Sequence, residues 1–220
     1  MSDYLDCLQI DPPGGGQPAG TVIWMHGLGA DAGDFEPIVP MLELTAAVRF
    51  VFPNAPVRPV TINAGMEMRA WYDIDPAAPH SGTAEISESA GQIQRLVERE
   101  GERGVAADRI VLAGFSQGGV IALHLGLRYP ERLAGIMALS TYVHDHENLA
   151  GEVSFASADV PLFMAHGTAD PMIPIARAVT SRQALEALNY QVEWHDYAMG
   201  HQVCPEEIAD IGRWLNGIYS

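Results

Sequence analysis

A serine at the centre of a glycine-flanked turn is the residue most clearly placed for chemistry. Ser116 lies in the middle of a G-F-S-Q-G segment (114–118), after an apolar run at 110–113 and before an apolar run with helical spacing at 120–127. This order of strand, turn and helix is the context of a nucleophile elbow. A Cβ at either glycine would obstruct the close packing of strand and helix. We predict that Ser116 is a nucleophile; the alternative is an ordinary turn carrying small residues.

A serine hydroxyl needs a base, and the base needs an acid that orients it. Asp170 lies directly after the apolar run 162–165, and His201 follows an alternating segment at 191–195. The order serine, acid, histidine is the one that accompanies this elbow. We predict that His201 takes the Ser116 proton and later returns one to the leaving group. Asp170 would fix the histidine tautomer while an acyl-enzyme forms and water releases the acid.

Two backbone N–H groups are predicted to stabilise the oxyanion of this reaction. One donor should belong to the residue after the nucleophile, which is Gln117. The second should come from the loop after an early strand, and the H-G-L-G turn at 26–29 follows the apolar run 21–25. We assign this second donor to Leu28. The positive end of the helix that follows Ser116 adds to the stabilisation of negative charge.

The elements that position these residues follow from hydrophobic periodicity. Short apolar or alternating runs predict strands at 4–10, 21–25, 49–52, 110–113, 135–139, 162–165 and 191–195. Helical spacing predicts helices at 37–44, 83–100, 120–128, 175–188 and 205–215. Alternating strands and helices predict a mostly parallel central sheet with helices on both faces, in one α/β domain covering residues 1–220. The chemical groups all follow strands, at the edge where ligands bind such sheets.

The long connection at 54–82 contains several prolines and few signs of regular structure, so we predict a binding loop or lid. It carries Met66, Met68 and Trp71, which could line an apolar substrate cleft. For Trp71, ordinary packing over the sheet is an equally good alternative.

The charge composition disfavours two classes of partner. The 220 residues include 28 acidic and 12 basic side chains, giving a net charge of −16, which disfavours nucleic acid and anionic lipid. No apolar run has the roughly 18 to 20 residues that span a bilayer. The N-terminus, with Asp3 and Asp6, does not resemble a secretory signal, and Cys7 and Cys204 do not form a disulfide framework. We expect a cytoplasmic monomer or homodimer without an integral membrane segment.

Other histidines have less specific surroundings. His166 also follows a strand, four residues before Asp170, and we expect it to be an interior residue or one that contacts a site residue rather than the base. We expect His26 to hold the 26–29 turn by hydrogen bonds. The H-D-H segment at 144–146 lacks further ligand spacing, so we predict no metal site. No glycine-rich phosphate-binding motif is present either.

Six motifs carry a resemblance to a known family. They are H-G-L-G-A-D (26–31), P-N-A-P-x-R-P-V (53–60), R-A-W-Y-D (69–73), G-F-S-Q-G-G (114–119), H-G-x-x-D-P-x-I-P (166–174) and G-H (200–201). In this order, over nearly the whole chain, they resemble the carboxylesterase/acyl-protein thioesterase (phospholipase/carboxylesterase) family of α/β hydrolases. The resemblance implies an α/β-hydrolase fold without a cofactor. It also implies Ser116, Asp170 and His201 as the catalytic triad, with Leu28 and Gln117 as oxyanion donors.

The resemblance further implies that the 60–75 loop borders the acyl cleft, with Trp71 beside it. The leading hypothesis is a serine carboxylesterase that acts on small-molecule esters or thioesters with short to medium acyl chains. An acyl-protein thioesterase or lysophospholipase is the alternative, which a long acyl tunnel would favour. A catalytically silent binding module is disfavoured by the intact triad. A dienelactone-type hydrolase is disfavoured because its usual nucleophile is cysteine.

Overall fold

The computed structural model describes residues 4–78 and 81–220, which contain nine strands and four α-helices. The strands are β1 (Cys7–Ile10), β2 (Gly20–Met25), β3 (Val48–Pro53), β4 (Val57–Val60), β5 (Met66–Arg69), β6 (Ile110–Phe115), β7 (Gly135–Leu139), β8 (Leu162–Gly167) and β9 (Val192–Tyr197). The helices are α1 (Thr83–Glu102), α2 (Gln117–Arg128), α3 (Ile175–Ala187) and α4 (Pro205–Ile218).

Seven strands form one sheet in the order β1-β3-β2-β6-β7-β8-β9. β1 pairs with β3 in the antiparallel sense, and every other neighbouring pair of this sheet is parallel. The predicted mostly parallel sheet is therefore confirmed. Met25 of β2 lies opposite Gly114 of β6, so the loops that follow these two strands leave the sheet at the same level.

Helices cover both faces of the sheet, as the sequence predicts. Side chains of β2 alternate between two apolar clusters: Ile23 packs in the cluster that contains α1 and α2, and Trp24 in the cluster that contains α4. The same alternation explains why β2 is buried along its whole length. The strand ends are thereby fixed between two packed layers, which is what a precise site at the sheet edge requires.

A buried carboxylate ties α1 to the amino-terminal part of the sheet. Glu100 is 0% exposed, and its oxygens lie 2.8 Å from Arg49 of β3, 3.2 Å from Arg99 and 2.8 Å from Arg103. The Thr21 hydroxyl also donates to Glu100. Several positive charges thus compensate one buried negative charge.

Two local predictions differ from the structure. The predicted helix at 37–44 is a 3-10 segment, Glu36–Leu42, which contains Pro40 and therefore lacks one backbone donor. The predicted lack of regular structure in the 54–82 connection is wrong, because β4 and β5 form an antiparallel hairpin. Pro59 is tolerated there because a two-stranded hairpin consists of edge strands only. Pro79 and His80 of this connection lie outside the described residues.

Candidate active site

The backbone at Ser116 has the strained conformation that an elbow requires. Its φ of 53° and ψ of −118° lie outside the regions that ordinary residues prefer. A Cβ at Gly114 would lie 2.2 Å from the Gly118 carbonyl carbon, and a Cβ at Gly118 would lie 2.3 Å from the Met25 carbonyl oxygen. The two glycines therefore permit β6, α2 and the end of β2 to meet at this turn.

The structure brings the three predicted residues into one hydrogen-bonded chain. Ser116 Oγ lies 2.9 Å from His201 Nε2, and His201 Nδ1 lies 2.7 Å from Asp170 Oδ2. In this arrangement the Ser116 hydroxyl donates to Nε2, and the Nδ1–H group donates to the carboxylate. The residues follow β6, β8 and β9, so the site lies at the carboxyl edge of the sheet. The His201 ring also packs on the Phe115 ring, with centroids 4.8 Å apart.

The Asp170 carboxylate is held by its own loop. Oδ1 accepts the backbone N–H groups of Met172 and Ile173, at 2.8 and 2.9 Å. Burial alone would raise the pKa of Asp170, but the hydrogen bonds from Ile173, His201 and Met172 outweigh it and hold that pKa below its usual value. The side chain is therefore ionised at neutral pH, as an orienting acid must be.

His166 lies behind this carboxylate, as the sequence predicts. It is 0% exposed, its Nε2 lies 2.8 Å from the Ile173 carbonyl oxygen, and the same Nε2 lies 3.5 Å from Asp170 Oδ2. Burial lowers the pKa of His166. A neutral ring with the proton on Nε2 donates to Ile173 and stabilises the turn that presents Asp170.

The loop after β2 lies next to Ser116. A Cβ at Gly27 would lie 3.5 Å from the Ser116 Cβ. Within residues 4–78 and 81–220, neither the Leu28 N–H nor the Gln117 N–H has an intramolecular acceptor. Free donors beside Ser116 are what an oxyanion site needs, although the two assignments stay predictions.

His26 holds this loop. Its Nδ1 lies 2.7 Å from the Gly27 carbonyl oxygen and must carry a proton, while its Nε2 accepts the Ala55 N–H at 3.1 Å. Burial lowers the pKa of His26, which is consistent with a neutral ring of this tautomer. The predicted role of His26 as a support for the turn agrees with these contacts.

Trp71 is not on the surface of a cleft. Its side chain is 0% exposed, and its indole N–H donates to the His26 carbonyl oxygen at 2.9 Å. Its backbone N–H donates to the Gln117 side chain. Of the two alternatives for Trp71, its burial favours packing over direct contact with substrate, and it packs between the loop after β2 and the Gln117 side chain. The sequence could not reveal this because the partners are 45 and 46 residues away along the chain.

The predicted methionines differ in their exposure and in what they contact. Met66 is 65% exposed on the β4–β5 hairpin, and Met68 is half-buried, with its sulfur 3.7 Å from where a Gly29 Cβ would lie. Met172 was not among the predicted residues, yet it is 70% exposed and follows Asp170 by two positions. Met172 follows Pro171 in the loop that carries Asp170, and this position in the sequence could have identified it as a residue near the site.

Other features lie apart from this chain of residues. Across the described ranges, no group of three or more His, Cys, Asp or Glu side chains is arranged to hold a metal ion. No helix in the same ranges is long and apolar enough to cross a membrane. Cys7 and Cys204 are free, and burial raises the pKa of the Cys7 thiol to about 11.

Comparison with known proteins places this geometry in context. A family model described as phospholipase/carboxylesterase matches residues 6–218. The acyl-protein thioesterase 1 of Mycosarcoma maydis is 36% identical over 233 residues, with 97% of each chain covered. The acyl-protein thioesterase 1 of Yarrowia lipolytica is 37% identical over 204 residues, covering 89% of this chain and 90% of that protein. The crystal structure of Zea mays acyl-protein thioesterase 2 has a TM-score of 0.86 at 26% identity, covering 99% of this chain and 100% of that chain.

Proposed function

Since the chain belongs to the phospholipase/carboxylesterase family of α/β hydrolases and is a serine hydrolase, we propose that it hydrolyses carboxylic esters with Ser116, His201 and Asp170 as its catalytic triad. One observation carries the proposal: two hydrogen bonds, of 2.9 and 2.7 Å, join serine to histidine and histidine to carboxylate. The strained backbone of Ser116 supports the same assignment, because such strain is stored at functional sites.

Acylation begins when His201 Nε2 removes the Ser116 proton and Oγ attacks the ester carbonyl carbon. The ionised Asp170 carboxylate, hydrogen-bonded to His201 Nδ1, keeps a proton on that nitrogen and stabilises the imidazolium that forms. The carbonyl oxygen becomes an oxyanion, and the N–H groups of Leu28 and Gln117 stabilise it. Collapse of the tetrahedral intermediate breaks the bond to the alcohol oxygen, which receives the proton from Nε2.

Deacylation repeats these steps with water. His201 removes a proton from a water molecule, and the hydroxide attacks the acyl carbon of the Ser116 ester. The second tetrahedral intermediate uses the same two backbone donors. Its collapse returns the proton to Ser116 Oγ and releases the carboxylic acid.

Short to medium acyl chains are the proposed substrates of this site. Met68 lies beside the loop of Leu28, and Met172 lies beside Asp170, so both can offer apolar contact near the acyl group. Met66 lies further along the same hairpin and would contact only a longer chain. Residues 1–220 would act as one catalytic domain.

Hydrolysis of protein-bound or lysophospholipid acyl groups is the second candidate. The names of the Mycosarcoma maydis and Yarrowia lipolytica relatives favour a thioester substrate. The proposed triad suits both esters and thioesters, because the acyl-enzyme is the same in each case. Turnover of matched oxygen and sulfur esters, from acetyl to palmitoyl, distinguishes the two candidates.

The test of the proposal is hydrolysis of p-nitrophenyl acetate and butyrate by wild type, Ser116→Ala and Ser87→Ala. Ser87 is an exposed serine of α1 and serves as the matched control. We expect Ser116→Ala to lose turnover by at least about 1,000-fold and Ser87→Ala to keep it. A fluorophosphonate probe should label Ser116 in wild type. Substantial turnover by Ser116→Ala, or labelling at another residue, would contradict the proposal.

A further inference from the structure

We propose that Trp71 is a positioning residue that holds the two oxyanion donors, the N–H groups of Leu28 and Gln117, at a fixed separation. The inference rests on the proposed function, because an oxyanion forms only if Ser116 attacks an acyl carbon. It assigns to a buried tryptophan a role in the transition state without any contact with substrate.

The first set of hydrogen bonds joins Trp71 to the turn that carries Ser116, through the Gln117 side chain. The Gln117 side chain accepts the Trp71 backbone N–H at 3.0 Å and donates to the Tyr72 carbonyl oxygen at 2.7 Å. Gln117 is 2% exposed, so water does not compete for these bonds. The amide therefore fixes the 71–72 backbone to the first residue of α2, whose own N–H is one of the donors.

A second set of hydrogen bonds joins the segment 69–71 to the loop after β2. The indole N–H of Trp71 donates to the His26 carbonyl oxygen at 2.9 Å. The Gly29 N–H donates to the Arg69 carbonyl oxygen, also at 2.9 Å. Leu28 lies between these two anchored positions, so its N–H direction depends on both.

The segment between the two sets of hydrogen bonds is itself immobilised. Trp71 is 0% exposed, the Ser89 hydroxyl donates to its carbonyl oxygen, and its ring lies 5.3 Å from the His26 ring. Hydrogen bonds in such a dry environment are stronger than in water, and an unmade bond costs more. The path from Gln117 through Trp71 to His26 is therefore stiff.

Stiffness matters here because oxyanion stabilisation depends on short distances. The donors must lie about 2.7–3.1 Å from the position of the oxyanion, and a displacement of about 1 Å can cost about 100-fold in rate. Ground-state binding of the ester depends much less on these distances. A loss of the Trp71 connection should thus affect kcat far more than KM.

Trp71→Phe removes the indole N–H and keeps both backbone bonds to the Gln117 side chain. Trp24→Phe is the matched control: Trp24 is 1% exposed in the strand that leads to His26, and its indole N–H has no partner within the described ranges. We expect kcat for p-nitrophenyl butyrate to fall about 10- to 100-fold in Trp71→Phe, with KM changed less than about threefold. Trp24→Phe should keep wild-type kcat.

A pair of inhibitors reports on the oxyanion directly. In an alkyl trifluoromethyl ketone, Ser116 Oγ bonds to the carbonyl carbon, the proton moves to His201, and the carbonyl oxygen becomes the oxyanion of a hemiketal. The parent methyl ketone with the same alkyl chain largely stays a ketone. We expect Trp71→Phe to weaken the trifluoromethyl ketone by about the same factor as kcat and to leave the methyl ketone unchanged.

Gln117→Met keeps the backbone donor and breaks the first set of hydrogen bonds, so it tests the inference even if Trp71→Phe folds poorly. We expect the same selective loss of trifluoromethyl ketone affinity. The double variant should lose little more trifluoromethyl ketone affinity than either single variant. The reason is that both substitutions interrupt the same chain of hydrogen bonds, and breaking it at one point already uncouples the two donors. Equal weakening of both ketones, wild-type kcat in the folded variants, or additive losses would overturn the role of Trp71 and leave the proposed function standing. Absence of Ser116-dependent turnover in wild type would overturn both.

Discussion

Asp170 and His201 are joined through one carboxylate oxygen only: Oδ2 lies 2.7 Å from His201 Nδ1, while Oδ1 accepts two backbone N–H groups of its own loop. The two oxygens are therefore not interchangeable. An amide at this position must keep its oxygen toward the backbone donors and turn its NH2 group toward the histidine.

This asymmetry makes Asp170→Asn an informative substitution. The NH2 group would force His201 to accept at Nδ1 and to carry its proton on Nε2, so the ring could no longer take the Ser116 proton. We expect kcat to fall about 10,000-fold with little change in the thermal midpoint. Asp159→Asn, at an exposed aspartate, is the control in the same p-nitrophenyl butyrate assay. A loss below about tenfold in Asp170→Asn would show that this tautomer is not required.

Gly114 is a second sensitive position, for a steric reason. Its alanine methyl group would lie 2.2 Å from the backbone of Gly118, and neither segment can move without separating β6 from α2. We expect Gly114→Ala to lower the free energy of unfolding by about 3 kcal/mol or more and to abolish turnover. The control is Gly91→Ala in α1, where no atom lies within 4 Å of the added Cβ. That change should stabilise the helix by about 0.5–1 kcal/mol. Urea unfolding measures both, and equal effects would contradict the steric argument.

Glu100 should be the most costly carboxylate to remove. Glu100→Ala leaves Arg49, whose side chain is only 9% exposed, without its buried partner. The exposed Asp11 carboxylate, 2.7 Å from Arg49 Nε, still compensates part of this charge. We therefore expect a cost of about 3 kcal/mol, at the lower end of the range for breaking a buried ion pair. Glu102→Ala, two residues along and exposed, should change the free energy of unfolding by less than about 0.5 kcal/mol. A cost below about 1 kcal/mol for Glu100→Ala in urea unfolding would refute this assignment.

Glu207 gives the protein a stability that decreases toward alkaline pH. The side chain is 0% exposed, and neither carboxyl oxygen has a partner of good hydrogen-bond geometry within the described ranges; the Cys204 backbone interacts with it only weakly. Burial raises the pKa of Glu207 from 4.5 to about 8, and the charge of Asp210 adds to the rise. The folded state therefore holds a proton that the unfolded state releases between these values. The stabilisation from this group is fully present below about pH 4.5 and is lost as pH rises through about 8.

The expected loss is up to roughly 5 kcal/mol across that window, with other groups superimposed on it. Glu207→Gln cannot titrate, so its free energy of unfolding should fall less than that of wild type between pH 5.5 and pH 9. Glu206→Gln, at the exposed neighbour, should follow the wild-type curve. Parallel curves for wild type and Glu207→Gln would mean that Glu207 does not titrate in this range.

Sequence patterns predicted the strands and the carboxyl-edge location well because both depend on local signals. The apolar runs before Ser116 and Asp170 are short, and turn residues follow each of them. The positions where these strands end could therefore be predicted from the sequence. The family resemblance also rests on such turns. β4 and β5 were missed because the prolines of this connection dominated the pattern. The alternation of apolar and charged residues at 66–69, after the Ala64-Gly65 turn where both residues have positive φ, was the weaker signal.

The orientation of the Trp71 side chain could not be predicted in this way, because it depends on residues that are distant in the sequence. The sequence left a cleft position and ordinary packing open for Trp71, and the residue packs inward because His26 and Gln117 supply an acceptor on each side. Neither partner is near it in sequence. Position in a loop therefore predicted the neighbourhood of Trp71 and not its orientation.

The order of the strands also has a consequence for folding. β9 joins the sheet only through β8, and the loop that carries His201 follows β9. Pairing of β2 with β6 brings together segments that are far apart in sequence, which makes assembly of such a sheet slow. We expect His201 to reach Ser116 only after both events. During refolding, recovery of hydrolase activity should thus coincide with docking of β9 and lag behind the burial of Trp24 in β2.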